Sequence, residues 1–167
     1  MASTVIIIRG PLGVGKSTIS MQLATKLSGL YVPLDDVVDR LGLDKVPPDA
    51  ECIPANSFLT AIRSILPQLK HAMARGQVAI IDACFYHKEM IELLESHFPG
   101  KLVTVTLEAP LDVCITRDRE REKSHGVYAA RAVHMLVSRF SAGTRIDATQ
   151  PIEAIIAKII ALLPDNA

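Results

Sequence analysis

Tryptophan is missing from this 167-residue chain, and aromatic residues make up only 4% of it. A core with so few rings must be aliphatic, which fits an α/β protein built on aliphatic strands. Net charge is missing as well. Eighteen Lys and Arg balance eighteen Asp and Glu, so there is no bulk electrostatic footprint for DNA or RNA, although a local basic patch is still compatible with this balance. Cysteine is scarce: Cys52, Cys84 and Cys114 are odd in number, far apart and without metal-ligand spacing. They exclude a disulfide framework and read as buried or incidental thiols. No apolar run approaches the roughly 20 residues that cross a bilayer, and Met1-Ala2-Ser3 runs straight towards a strand with no signal peptide. The expectation is a soluble, cytoplasmic protein with no membrane partner. Internal repeats and low-complexity linkers are also lacking, so residues 1–167 are expected to form one domain.

What is present begins near the amino end. Gly10-Pro11-Leu12-Gly13-Val14-Gly15-Lys16-Ser17, followed by Thr18, fits G-x-x-x-x-G-K-[ST], the phosphate-binding P-loop. Small residues let the backbone curl so that several N–H groups point at one anion, and the following helix adds the positive end of its dipole. Lys16 is expected to reach the β- and γ-phosphates, and the Ser17 hydroxyl to ligate Mg²⁺. The β-branched run Thr4–Ile8 reads as a buried strand, and Ser17–Leu27 places Ile19, Leu23 and Leu27 on one helical face. Strand, glycine turn and helix therefore come in the order this loop requires, and a nucleoside triphosphate is the first expected ligand.

Strand and helix alternate over the rest of the chain, which points to a parallel sheet with helices on both faces. Further strands are expected at Leu30–Leu34, Gln77–Asp82, Lys101–Leu107 and Thr144–Asp147. Helices are expected from Asp35 to about Gly42, from a cap at Asn56 or Ser57 to Arg75 with a kink at Pro67, over Tyr86–Phe98, from Leu111 to about Glu122 after Pro110, over Tyr128–Phe140, and after Pro151.

Ligands of open α/β sheets sit beyond the carboxyl ends of the strands, and three strand ends carry polar chemistry. Asp35 and Asp36 follow the second strand, where a carboxylate either takes the proton of an attacking substrate hydroxyl or caps the helix. Two acids in a row permit both roles, and Asp35 is the preferred base. Asp39 and Arg40, one turn on, are candidates for substrate contact. Asp82 ends an apolar strand, as a carboxylate that orients Mg²⁺ does, or else caps the next helix. Tyr86 and His87 lie just beyond it. Arg117, Arg119 and Arg121 alternate with Asp118, Glu120 and Glu122. That pattern reads either as a solvated helix end or as a lid in which Arg117 and Arg121, on one face, clamp phosphates. Lys123-Ser124-His125-Gly126 reads as a flexible closing segment.

Four stretches together resemble the small P-loop kinases of the adenylate-kinase-like superfamily: 10–18, Leu34-Asp35-Asp36, Ala79-Ile80-Ile81-Asp82-Ala83, and 107–114 leading to Arg117-Asp118-Arg119-Glu120-Arg121. The best match is the branch of AAA_33-type ATPases and zeta-toxin-like kinases that also includes the kinase domain of polynucleotide kinase. The resemblance implies a three-layer α/β/α fold with a five-stranded parallel sheet of order 2-3-1-4-5 and a short lid at about 117–128. It implies ATP and Mg²⁺ as cofactors, with donor contacts from Gly10, Leu12, Gly13, Val14, Gly15, Lys16, Ser17 and Thr18. Ser17 and Asp82 would serve the metal, and Lys16 with Asp35 or Asp36 the chemistry. Arg117 falls where a lid arginine stacks near adenine, Arg121 where a second meets phosphate, and Asp147-Ala148-Thr149 where a loop lies near adenine.

The expected activity is transfer of the γ-phosphate to a hydroxyl of a small molecule or nucleotide. The alternatives are a 5′-hydroxyl polynucleotide kinase and a nucleotide-binding ATPase or switch without an acceptor. Departures narrow the field. The Asp-Gly-Asp of adenylylsulfate kinases is replaced by Leu34-Asp35-Asp36, the Asp-Ser-Asp of shikimate kinases is absent, and Arg40 sits two positions later than the arginine that usually follows the paired acids of polynucleotide kinases.

Overall fold

The computed structural model describes residues 3–164; Met1 and Ala2, read above as leading into the first strand, lie outside the described residues. Five parallel strands, β1 (Val5–Arg9), β2 (Leu30–Pro33), β3 (Ala79–Ala83), β4 (Leu102–Glu108) and β5 (Thr144–Asp147), form one sheet of order β2-β3-β1-β4-β5. The strand order is the expected one. The helices among the described residues are α1 (Lys16–Leu27), α2 (Leu34–Arg40), α3 (Ala55–Ala74), α4 (Lys88–His97), α5 (Leu111–Arg119), α6 (Val127–Ser138) and α7 (Ile152–Ala161).

The central strand shows why the sequence folds this way. All five residues of β1 are buried, because a parallel strand between helical layers is covered on both faces. Val5 and Ile7 enter a core with Phe58, Ile62 and Leu69 of α3 and Leu94 of α4. Ile6 and Ile8 point the other way, into a core with Ile19 and Leu23 of α1 and Ile155, Ile156 and Ile159 of α7.

Several local expectations need correction. The strand does not end at Ile8: Arg9 belongs to it and is 1% exposed. Neither Asn56 nor Ser57 caps α3. Its N-cap is Pro54, and no side-chain cap bond forms, because proline's fixed φ already suits the entry to a helix. Pro67 lies within α3 on an exposed position, where water can serve the carbonyl left without a partner. Asp35 and Asp36 do not cap α2 either, since the helix begins one residue earlier, after Pro33. Tyr86 and His87 precede α4 instead of opening it.

Candidate active site

The chain crosses from β3 to β4 past β1, so the carboxyl ends of β1, β2 and β3 open onto one crevice beside the switch in strand order. Loop 10–15 leaves β1 there. Gly13 has φ +77, and a Cβ on it would stand 2.1 Å from the Cys114 carbonyl oxygen of α5. Only glycine fits, because the loop bears directly on α5 and takes a left-handed turn there. Gly15 precedes α1 without a side-chain cap bond, which leaves the first turn of that helix available to an anion.

Lys16 is buried and donates from Nζ to the Pro11 carbonyl at 2.8 Å. The same ammonium lies 3.6 Å from Cys84 Sγ at the end of β3. Burial pushes that thiol up to about 11, against the opposing pull of Lys16. Cys84, one of the thiols expected to be buried or incidental, is buried and packs on the phosphate-loop lysine.

Asp82 pairs in register with Pro33 of β2 and Ile8 of β1, which puts its carboxylate at the floor of the crevice. It is buried, and Tyr31 Oη donates to its Oδ2 at 3.2 Å. Burial raises its pKa to about 6, opposed by Lys16 and by hydrogen bonds from Ser17 and Tyr31. The Ser17 hydroxyl therefore lies near the Asp82 carboxylate. Two hard oxygen donors at the mouth of a phosphate loop fit Mg²⁺, which keeps few protein ligands and shares the rest of its shell with phosphates and water. Among the described residues, no group of three or more His, Cys, Asp or Glu forms a metal cage.

Asp35 stands in the first turn of α2, open to solvent on one side and crowded by protein on the other. Burial raises its pKa, and the charges acting on it are Lys16, His125, Asp36 and Arg121. Lys16 comes from α1, and His125 and Arg121 come from the segment joining α5 and α6. Asp36 is the repulsive neighbour of Asp35.

Arg117 donates from Nη1 to the carbonyls of Val14, at 3.2 Å, and of Ala148, at 3.1 Å. It joins the phosphate loop to the β5–α7 connection. Arg117 and Arg121 line, with Gly13, Lys16, Ser17 and Thr18, a cleft of about 330 Å³. Thr149 faces away from it. The hydroxyl and amide of Thr149 donate to Asp147 Oδ1 at 2.6 and 2.8 Å, and the residue borders a neighbouring cavity of about 590 Å³ beneath α6. That larger cavity holds charges already engaged with one another, Arg145 with Glu108 among them, whereas the smaller cleft is lined by Lys16 and loop residues 13–15. Gly10 packs under Leu107, and Leu12 sits half-exposed in the loop.

Four further residues near this crevice escaped sequence reasoning. Arg9 donates to the carbonyls of Phe85 (3.0 Å), Val137 (2.6 Å) and Phe140 (3.1 Å) and to Thr106 Oγ1 (3.2 Å), and its guanidinium lies 4.2 Å from the centroid of the Phe140 ring. It fastens α6 over the ends of β1 and β4. Asp118, which the alternating charges placed on a solvated helix end, is 1% exposed and accepts from Ser124 Oγ, His125 N, His125 Nδ1 and Gly126 N. Tyr31 and Cys84 complete the set. His87 Nε2 donates to the Ile53 carbonyl at 2.7 Å, and Tyr86 stacks edge-on against Phe58 and His87, so these two rings pin the 43–54 loop beside Asp35. Among the described residues no helix is long and apolar enough to cross a membrane.

Comparisons with known proteins agree with this architecture. The chain superposes on a gluconokinase from Sinorhizobium meliloti 1021 with a TM-score of 0.71 at 15% identity, over 96% of this chain and 91% of that one. A sugar kinase from Janibacter sp. HTCC2649 gives 0.74 at 18%, over 95% and 93%. The tunicamycin resistance protein of Deinococcus radiodurans gives 0.69 at 22%, over 97% of each chain. At these identities the likeness establishes the fold alone, the α/β arrangement with a sheet of order β2-β3-β1-β4-β5. No curated protein matches in sequence. A family model described as an AAA domain, AAA_33, matches residues 5–141, and with most of its length so matched the chain belongs to the AAA_33 family.

Proposed function

We propose that this protein is an ATP- and Mg²⁺-dependent phosphotransferase that moves the γ-phosphate to a hydroxyl of a small molecule or nucleotide. The observation that carries the reading is the position of Asp35. It stands in the first turn of α2 directly after β2, beside the strand that carries Asp82, and Lys16 is near enough for its charge to act on it, which is where a base for an incoming hydroxyl belongs. A switch that only binds nucleotide has no use for such a group. The loop amides and Lys16 hold the polyphosphate, Ser17 and Asp82 hold Mg²⁺, and Arg117 and Arg121 clamp the donor. Mg²⁺ supplies charge neutralisation on the phosphates.

The acceptor side argues against a polynucleotide. Between Asp35 and Glu51 the sequence carries Asp35, Asp36, Asp39, Asp44, Asp49 and Glu51 against Arg40 and Lys45, a rim that repels a polyanion.

Labelled γ-phosphate transfer to a panel of polyols, sugars, nucleosides and a 5′-hydroxyl oligonucleotide tests the reading. A labelled small molecule, with little salt sensitivity, is expected. Lys16→Ala should abolish transfer, and Asp35→Asn should lower turnover by about a hundredfold or more while ATP affinity changes far less. Turnover unaffected by both Asp35→Asn and Asp36→Asn would remove the assigned base. A labelled oligonucleotide with salt-weakened binding would transfer the assignment to the polynucleotide class.

A further inference from the structure

Asp82 is 4% exposed, and a carboxylate so enclosed needs donors. One of them comes from β2, the edge strand of the sheet. In the parallel register Tyr31 lies opposite Ile80, and Pro33 opposite Asp82. Side chains two residues apart on a strand share a face, so Tyr31 and Asp82 project from the same side of the sheet. Ile80 packs there with Ile19, Leu23 and Ala24, which marks it as the side beneath α1. The Tyr31 ring rests against this cluster, and its hydroxyl donates to Asp82 Oδ2 at 3.2 Å. Ring and tip thus have separate tasks. The ring closes the edge of the core, and the hydroxyl holds a carboxylate at the mouth of the phosphate loop.

The helix above that face begins with Lys16 and Ser17. The Ser17 hydroxyl lies near both Tyr31 and Asp82. Oxygens from β2, from β3 and from the start of α1 therefore gather at one place. Two of them, on Ser17 and Asp82, are the donors that fit Mg²⁺. The third does not suit a metal. A phenol keeps its proton at neutral pH and donates, and burial here raises its pKa further. Its bond falls on Oδ2, so Oδ1 keeps its lone pairs for a cation or for the water around one. Carboxylates that serve metals are characteristically held by such an outer donor, which fixes the plane of the group.

We propose that Tyr31 is a positioning residue for the metal: its hydroxyl, bonded to Oδ2 of Asp82, turns the other carboxylate oxygen towards the Mg²⁺ that Ser17 and Asp82 hold. The inference rests on the kinase reading above and adds a residue to its metal site. Without the hydroxyl the carboxylate loses its donor and is free to rotate. The loop amides and Lys16 keep their places, so the polyphosphate is still held. The loss should therefore fall on the metal-dependent part of nucleotide binding and spare the rest.

The test is calorimetric titration of ADP, first with a chelator and then with Mg²⁺, into wild-type protein and Tyr31→Phe. Wild-type protein should bind ADP more tightly when Mg²⁺ is present. In Tyr31→Phe the metal-free affinity should stay within about twofold, while the Mg²⁺-dependent gain falls by about tenfold or more. In an Asp82→Asn background the same substitution should change the gain no further, because the hydroxyl acts through that carboxylate. A full gain in Tyr31→Phe overturns the inference and leaves the kinase reading standing, and so does an equal loss in both backgrounds. Wild-type protein that binds ADP with no gain from Mg²⁺ overturns the metal site and this inference with it. Wild-type protein that takes up no ADP overturns the kinase reading as well. If Tyr31→Phe is too unstable to measure, wild-type protein carrying ¹³Cζ-labelled tyrosine decides. The Tyr31 signal should move when Mg²⁺ joins the ADP complex, and an unmoved signal refutes the link from Tyr31 to the metal.

Discussion

Replacing Gly13 with alanine should damage this protein twice over, and the size of the damage can be worked out from the backbone. The residue has φ +77, a conformation that costs an L side chain about 1–2 kcal/mol. The added Cβ would also lie 2.1 Å from the Cys114 carbonyl oxygen and 3.2 Å from the Asp118 amide nitrogen. Ordinary contact begins near 3.4 Å, so the loop and α5 must part by more than an ångström. Both neighbours are backbone, and α5 is held at its far end by the buried Asp118. Packed interiors yield to such an insertion at a further cost of about 1–3 kcal/mol. A total near 3 kcal/mol corresponds to a fall in melting temperature of about 6–12 °C for a chain of this size. Moving the loop also spoils the aim of its amides, so ADP affinity should fall by at least tenfold. Differential scanning calorimetry and ADP titration of Gly13→Ala check both effects. A variant that melts within a degree of wild type and binds ADP normally would refute the close approach of loop and helix.

Two more expectations concern buried charge. Arg9→Met keeps the bulk but leaves the Phe85, Val137 and Phe140 carbonyls without their donor; a buried carbonyl so stranded costs about 1–3 kcal/mol, and chemical denaturation should show a lower midpoint with an unchanged slope. For Asp118, burial raises the carboxyl's pKa, but the hydrogen bonds from His125, Ser124 and Gly126 outweigh it and the net shift is downward. Its stabilisation is therefore present above the ordinary carboxylate range, near 3.9 in the unfolded chain, and is lost as pH falls through the lower folded value. Wild-type protein should lose a component of stability in that acid range that Asp118→Asn lacks, and parallel acid titrations of the two would refute the clamp.

The readable parts of this fold are those whose signals are local. The phosphate loop is eight consecutive residues, Asp82 closes the apolar run Val78-Ala79-Ile80-Ile81, and Asp35 comes just after the short second strand. The sheet order came with the family resemblance these motifs support. What escaped notice depends on partners distant in sequence. Arg9 looked like the first residue of a loop, because an arginine after four aliphatics gives no sign that carbonyls 76, 128 and 131 residues away will receive it. Asp118 sits in a run of alternating charges that is usually solvated, and only the return of Ser124, His125 and Gly126 over α5 buries it. Cys84 read as a buried or incidental thiol because nothing in its neighbours says that Lys16 will lie against it. The helix starts were misread for a related reason: Pro33 and Pro54 begin α2 and α3 by fixing φ, so the polar residues that commonly cap did not have to.

Arg117 has a consequence for how two segments of the chain stay together. Its two carbonyl partners, on Val14 and Ala148, belong to the phosphate loop and to the β5–α7 connection, and one guanidinium nitrogen ties both while the cleft is empty. The tie between the two segments is thus a property of the empty protein. A lysine there, a compact charge on a flexible stem, would hold the two segments less firmly.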